Sequence, residues 1–213
     1  MKIDVISLFP KMFESPFAEG MIKRALDKKI IELECHDMRK WAWNSYGAVD
    51  DRPYGGGVGM LIRVDVIDQA LKEIKKNKNS KVILTSAKGK KFTQQMAREW
   101  SKEDNLIFIC GRYEGFDERV VDLVDEEVSI GEYVLTGGEL PTMVMIDSVT
   151  RLLDGVLGKD ESNKDESFSE NSVLEYPQYT RPAEYLGKNV PEILLSGDPK
   201  KIKQWQEAKK ELK

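Results

Sequence analysis

The chain has 213 residues, 40% of them hydrophobic and 33% charged, enough for one large domain or one domain with an appendage and for a substantial core. Its formal net charge is −4, with a single histidine, His36, and two cysteines, Cys35 and Cys110. One imidazole leaves a Ser-His-Asp triad or a His-rich metal centre little to build from, and two thiols in or beside β-like runs read as small buried hydrophobes rather than as a disulfide or metal site. Acid-base chemistry therefore falls to carboxylates, tyrosine or lysine.

The N-terminus, Met1-Lys2-Ile3-Asp4, carries an acid at once and lacks the apolar run of a signal peptide, and no stretch approaches ~18 apolar residues, so a cytoplasmic protein without a membrane span is expected. The negative net charge weighs mildly against a nucleic-acid partner. Only charge within a Debye length of a ligand counts, roughly 8 Å in cells. Acids concentrate between Asp117 and Glu127 and lysines between Lys200 and Lys213, which leaves room for a basic face.

In chain order, Ile3 to Phe9 reads as a strand, Met12 to Asp27 as a helix and Ile30 to Cys35 as a second strand. The glycine-rich loop Tyr54 to Met60 follows. It fits neither a dinucleotide fingerprint, because Met60 stands where glycine is needed, nor a P-loop, and it reads as a hinge, a substrate loop or a purely structural loop. Val64, Ile67, Leu71 and Ile74 have helical spacing; Val82 to Leu84 is a strand, closed by a turn through Gly89. Helix Phe92 to Lys102 leads into Leu106 to Cys110, a continuous apolar run suited to a central parallel strand covered on both faces. Val120, Val121 and Val124 mark a short helix, and Glu127 to Ile130 a further strand. Strand and helix in alternation predict an α/β fold with a mainly parallel sheet.

A helix is expected from Glu139, with Pro141 tolerated in its first turn. Apolar residues wrap most of its girth around Met143 to Ile146, a surplus that suggests packing against a second subunit. Residues 159–172 are nearly all polar and read as a flexible linker that separates a domain over 1–158 from a C-terminal region over 173–213. In that region Glu175 to Pro182 is extended, and Asp198 with Pro199 opens a basic helix through Trp205.

Two glycine-bearing loops stand where a parallel α/β protein keeps its ligand: Gly111-Arg112-Tyr113-Glu114-Gly115, and Ser129 through Pro141. Single glycines are usually turn glycines; two long ordered loops at successive strand ends suggest backbone wrapped closely around a nucleoside. Arg151 has a double reading, a cation at a helix C-terminus or a guanidinium aimed at a purine carbonyl oxygen. Asp165 and Glu166 read as solvated linker charge that substrate binding would have to order before either could act as a base.

The chain resembles the bacterial tRNA (guanine-N1-)-methyltransferases of the knotted SPOUT class. The resemblance rests on Ser-Leu-Phe-Pro from Ser7, Val-Asp-Asp-Arg-Pro-Tyr-Gly-Gly-Gly from Val49, Cys-Gly-Arg-Tyr-Glu-Gly-Phe-Asp-Glu-Arg from Cys110, Ser-Ile-Gly-Glu-Tyr-Val-Leu-Thr-Gly-Gly-Glu-Leu-Pro from Ser129, Tyr-Pro-Gln-Tyr-Thr-Arg-Pro from Tyr176 and Leu-Leu-Ser-Gly from Leu194. It implies a trefoil-knotted S-adenosylmethionine site, a homodimer with the active site at the subunit interface, and methylation of N1 of guanosine 37 in tRNA.

By the same resemblance the cofactor falls to Thr85, Ser86 and Ala87; to Gly111, Tyr113, Glu114 and Gly115; and to Ser129, Ile130, Gly131, Glu132, Tyr133, Val134, Leu135, Gly137, Gly138 and Pro141. Arg151 corresponds to the family's substrate-orienting arginine. The general base, usually aspartate, falls on Glu166 or, one residue earlier, on Asp165, and Glu114 and Glu166 are candidate oxygens near Mg²⁺. The family's Asn-His after Leu-Leu-Ser-Gly is Asp198-Pro199 here, and the chain stops at Lys213, short of the family's usual helical C-terminal domain, so the tRNA-binding region is expected to be either a minimal version or one cut short. Two other readings stay open: a related knotted methyltransferase acting on another RNA position, and a nucleotide-binding module without catalysis.

Overall fold

The computed structural model describes residues 1–74, 79–157, 167–168 and 173–212, and the chain divides into two compact units, Met1–Leu157 and Gly158–Lys213.

The first unit is built on strands β1 (Lys2–Ser7) and β2 (Glu32–Asp37), a two-residue ladder of β3 (Asp50–Asp51) with β4 (Leu61–Ile62), and strands β5 (Ser80–Lys91), β6 (Asn105–Ile109) and β7 (Glu126–Ser129). Its helices are α1 (Gly20–Asp27), α2 (Val64–Glu73), α3 (Gln94–Trp100) and α4 (Glu139–Thr150). β1, β2, β5, β6 and β7 form one parallel sheet in the order β2-β1-β6-β5-β7.

Alternate side chains leave the sheet on opposite sides, so each central strand feeds two cores. Ile3, Val5, Ile83, Leu106 and Phe108 pack with Trp100, Met145, Ile146 and Val149. Ile6, Val82, Leu84, Ile107 and Ile109 pack with Met38, Trp41, Ile67 and Leu71 on the other side. All five residues of β6 are buried, the apolar run from Leu106 and the polar Asn105 before it alike.

Three expectations are corrected. The helix from Met12 to Asp27 is split into a 3-10 turn over Pro10–Phe13 and α1, since Pro16 interrupts the run and Gly20 takes a φ of +71°. The helix over Val120 to Val124 is a 3-10 turn, Glu118–Leu123. Gly89 does not end its strand: β5 pairs Thr85 with Val128, detours through residues 86–89 and re-enters the ladder with Lys90 opposite the same Val128. A Cβ on Gly89 would lie 2.5 Å from Val128 N, so glycine lets the detour close against β7.

On α4, Pro141, Thr142, Met143, Met145, Ile146, Val149 and Thr150 are buried within the unit. Leu140 and Val144, one turn apart, stay 55% and 48% exposed as an apolar stripe.

In the second unit β8 (Val173–Leu174) pairs antiparallel with β11 (Glu211–Leu212), and β9 (Glu184–Tyr185) with β10 (Lys188–Asn189). Helices α5 (Glu192–Leu195) and α6 (Pro199–Ala208) follow; Asp198 caps α6, its Oδ1 accepting from the backbone N–H of Lys200 and Lys201. Tyr179 packs on Trp205, ring centroids 6.4 Å apart. Apart from Ser167 and Phe168, the expected linker at 159–172 lies outside the described residues. Among the described residues no helix is long and apolar enough to cross a membrane.

Candidate cofactor site

Where the detour within β5 meets the carboxyl ends of β6 and β7 lies a cavity of about 510 Å³, within the range of small-molecule sites. Three loops wall it. The detour of β5 supplies Thr85, Ser86, Ala87 and Lys88; the loop after β6 supplies Gly111 to Glu118; the segment after β7 supplies Ser129 to Gly131, Tyr133 to Gly138 and Pro141. Every residue assigned to the cofactor from the sequence lines this cavity except Glu132, which points outward and lies 3.8 Å from Lys91.

Glycine is required where these walls touch. After β7, at the sheet edge, the chain turns back to the end of β6, and Gly138 N–H donates to Gly111 O at 2.9 Å. A Cβ on Gly138 would lie 2.0 Å from Thr85 Oγ1 and 2.7 Å from Gly111 N. Thr85, 4% exposed, donates from Oγ1 to Ile109 O at 3.0 Å, so one hydroxyl ties the ends of β5 and β6 together beside Gly138. In the loop after β6, Tyr113 adopts φ +58° and Gly115 φ +109°, a sharp turn that aims Tyr113 and Glu114 into the cavity wall. Ser129 Oγ both donates to Gly131 O and accepts from Gly131 N–H, folding the next loop on itself.

The glycine-rich loop over 54–60 reaches this site through its far end. Glu114 N–H donates to Met60 O at 3.1 Å and Ile62 N–H to Gly115 O at 2.9 Å, while Gly59 lies so close to the Glu114 side chain that a Cβ would fall 2.3 Å from Cγ. Its far end thus braces the loop after β6, while Tyr54 and Val58 stay exposed.

Arg112 and Glu139, present in the sequence motifs but assigned no role there, form an ion pair at the rim between a partly exposed arginine and a fully buried carboxylate, Nη2 to Oε2 2.8 Å, and Ser7 Oγ donates to Glu139 Oε1 at 2.7 Å. The signal was available: an acid placed where a helix N-terminus favours one, three residues after Thr136, and an arginine flanked by glycine. It could not reveal that the two meet.

Of the remaining assigned residues only Arg151 is described, and it is not brought to the cavity. Arg151 caps the C-terminal end of α4, its N–H donating to Asp147 O, and is not among the lining residues. Asp165 and Glu166 lie outside the described residues. Glu114 is therefore the described member of the suggested metal pair, and it stands on the cavity wall with Asp117, Glu118 and Glu127. Among the described residues, the group with metal-ligand proximity is elsewhere, Asp4, Glu34 and His36 on β1 and β2; the Lys2 ammonium, 3.1 Å from Asp4 and 3.2 Å from Glu34, already supplies a cation there.

Burial disfavours the thiolate form of both cysteines. Burial, helped by the nearby carboxylates of Asp4, Glu14 and Glu34, pushes Cys35 up to about 12. Burial likewise raises Cys110, whose Sγ lies 3.2 Å from Thr142 Oγ1.

A parallel sheet with helices on both faces and a glycine-walled cleft at the ends of adjacent strands defines a doubly wound class of α/β protein. Within that class the family model described as tRNA (Guanine-1)-methyltransferase TrmD matches residues 1–213, and the chain belongs to this family. The chain is 52% identical over 208 residues to a tRNA (guanine-N(1)-)-methyltransferase of Citrifermentans bemidjiense, covering 97% of this chain and 83% of that one. It is 51% identical over 209 residues to one of Clostridium botulinum (98% and 86%) and 52% identical over 206 residues to one of Lactobacillus johnsonii (97% and 84%).

Proposed function

We propose that this chain transfers a methyl group from S-adenosylmethionine to N1 of guanosine 37 in tRNA. The observation that carries the reading is the cavity where the assigned loops of β5, β6 and β7 meet, in a chain that belongs to the TrmD family. Its glycine cradle fits a flat nucleoside held by backbone. Its wall, with Glu114, Asp117, Glu118 and Glu127 against Lys88 and Arg112, suits a cationic ligand. When bound, the cofactor supplies an electrophilic methyl on its sulfonium.

The protein's part is to make guanine N1 a nucleophile. N1 carries a proton, and as that proton leaves, negative charge builds on O6. Glu166 or Asp165 takes the proton from N1, while Arg151 stabilises O6; general-base and electrostatic assistance of this kind each contribute on the order of 10²-fold or more. Glu114 and Glu166 are the oxygens offered to Mg²⁺.

We further read the first unit as a trefoil-knotted domain, the return of the chain from β7 to Gly111 at the end of β6 being what supports this. The exposed Leu140–Val144 stripe supports a homodimer, and the second unit is the tRNA-binding region of a cytoplasmic enzyme. The test is labelled methyl transfer to transcripts carrying G37 or A37, with the product mapped by mass spectrometry. Label confined to N1 of G37 is expected; label at another nucleotide, or cofactor binding with no label in tRNA, overturns the reading.

A further inference from the structure

The Arg112–Glu139 pair lies where the loop after β6, the segment after β7 and the start of the chain come together. Glu139 is fully buried in the first turn of α4, and one of its oxygens accepts from Ser7 Oγ at the end of β1. Ser7 Oγ in turn accepts from Phe9 N–H at 2.8 Å, which fixes the Phe9 ring beneath Arg112, Cζ to centroid 4.6 Å. The other Glu139 oxygen faces Arg112 Nη2 at 2.8 Å, while Arg112 Nη1 donates to Thr136 O at 3.2 Å. Arg112 Nη2 also lies 3.3 Å from Met12 Sδ. Gly137 passes so close that a Cβ there would sit 2.3 Å from Arg112 Nε and 2.6 Å from Glu139 Oε2.

Nη1 and Nη2 of the guanidinium are thus engaged by the protein, while its buried Nε has no hydrogen-bond partner among the described residues. What the guanidinium fixes is a carbonyl on the cavity wall. We infer that Arg112, locked by Glu139, Ser7 and Phe9, is a positioning residue that sets the distance between the loop after β6 and the Thr136–Gly138 wall, and so sets affinity for the adenosyl cofactor. The inference rests on the methyl-transfer reading above. Physically it follows from the fork: Nη1 donates to Thr136 O while Nη2 sits within ion-pair range of Glu139, two contacts that a lysine's single ammonium cannot reproduce with the same geometry.

The test compares wild type, Arg112→Lys, Glu139→Gln and the apolar double variant Arg112→Met/Glu139→Met. Cofactor affinity is read by calorimetry, cofactor KM and kcat by methyl transfer, and stability by thermal unfolding. Arg112→Lys and Glu139→Gln, which keeps an acceptor for Ser7, are each expected to weaken cofactor binding on the order of tenfold, the scale of one charge-assisted hydrogen bond, with kcat at saturating cofactor little changed. The double variant leaves no buried charge, so it regains stability without regaining affinity. If a single variant does not fold, the double variant decides: weakened binding supports the inference, wild-type affinity overturns it. Lower melting temperature with unchanged cofactor affinity also overturns it. Wild-type protein that binds no S-adenosylmethionine overturns the functional reading as well, whereas normal wild-type binding with unaltered variants removes this inference alone.

Discussion

At Gly138 one hydrogen atom in place of a methyl group decides whether the site can exist. Three segments meet there, and an added Cβ would strike Thr85 Oγ1 at 2.0 Å, Gly111 N at 2.7 Å and Cys110 Cα at 2.9 Å, two of them backbone atoms that cannot swing aside. Gly138→Ala is expected to cost about 1–3 kcal/mol of stability, the usual penalty of overpacking, and to abolish measurable cofactor binding because the walls must part. Urea unfolding and calorimetry check both; wild-type affinity in the variant would show that the contact is slack. This contact also marks a limit of sequence reading. The glycines were visible as unusual, but 53 residues separate Thr85 from Gly138, and nothing local says that they touch.

A second prediction at this scale concerns acid stability. Asp4 is fully buried on β1; burial by itself would raise its carboxyl, but hydrogen bonds from His36 at 2.8 Å and from Lys2 at 3.1 Å, with their charge, hold it below the usual carboxylate range. A depressed folded value contributes stability that is fully present above the unfolded value of about 4 and drains away as pH falls through the lower folded one. Asp4→Asn should therefore be less stable than wild type at neutral pH and show a shallower loss of stability between about pH 5 and pH 2. Parallel acid limbs in urea titrations would remove Asp4 as the cause.

The elements show why much of the fold was readable and where reading stopped. From Leu106 onward β6 is an unbroken apolar run with both faces covered, so composition alone identifies it as central, and β1 alternates between two cores as a period of two demands. The detour in β5 was not readable as such: Gly89 looks like a turn glycine, and only the tertiary fact that Val128 pairs on both sides of the detour makes it part of one strand. The helix expected from Met12 failed at Pro16, where apolar spacing was allowed to outweigh a breaker. On α4 the apolar surplus resolves into a buried majority and an exposed pair, Leu140 and Val144. If that pair seals a twofold interface, Leu140→Glu/Val144→Glu should shift analytical ultracentrifugation from dimer to monomer, with methyl transfer falling alongside, because an ionised carboxylate is costly to bury without a partner. A variant that sediments like a dimeric wild type would move the interface elsewhere.

For the molecule as a whole, charge and binding pull in opposite directions: the net charge is −4, yet the substrate proposed is a polyanion. The conflict is resolved by where the charges sit. Carboxylates gather on the cavity wall of the first unit, whereas in the second unit α6 and its flank carry Lys200, Lys201, Lys203, Lys209 and Lys210 on a helix with no buried residue. Lys201 and Lys210 already meet Asp198 and Glu207, at 3.7 Å and 2.9 Å, so the remaining lysines are the better candidates for phosphate contact. Each phosphate neutralised releases counterions and adds roughly 0.7–0.9 to the slope of log affinity against log salt. Lys200→Gln/Lys203→Gln/Lys209→Gln is therefore expected to raise the KM for tRNA at low salt and to flatten its salt dependence by up to about 2 to 3 in that slope. Calorimetric affinity for S-adenosylmethionine should stay at the wild-type value, since none of the three lysines lines the cavity. An unchanged slope would mean that tRNA is held by other cations; a loss of cofactor affinity would mean that the two units do not divide the work as proposed.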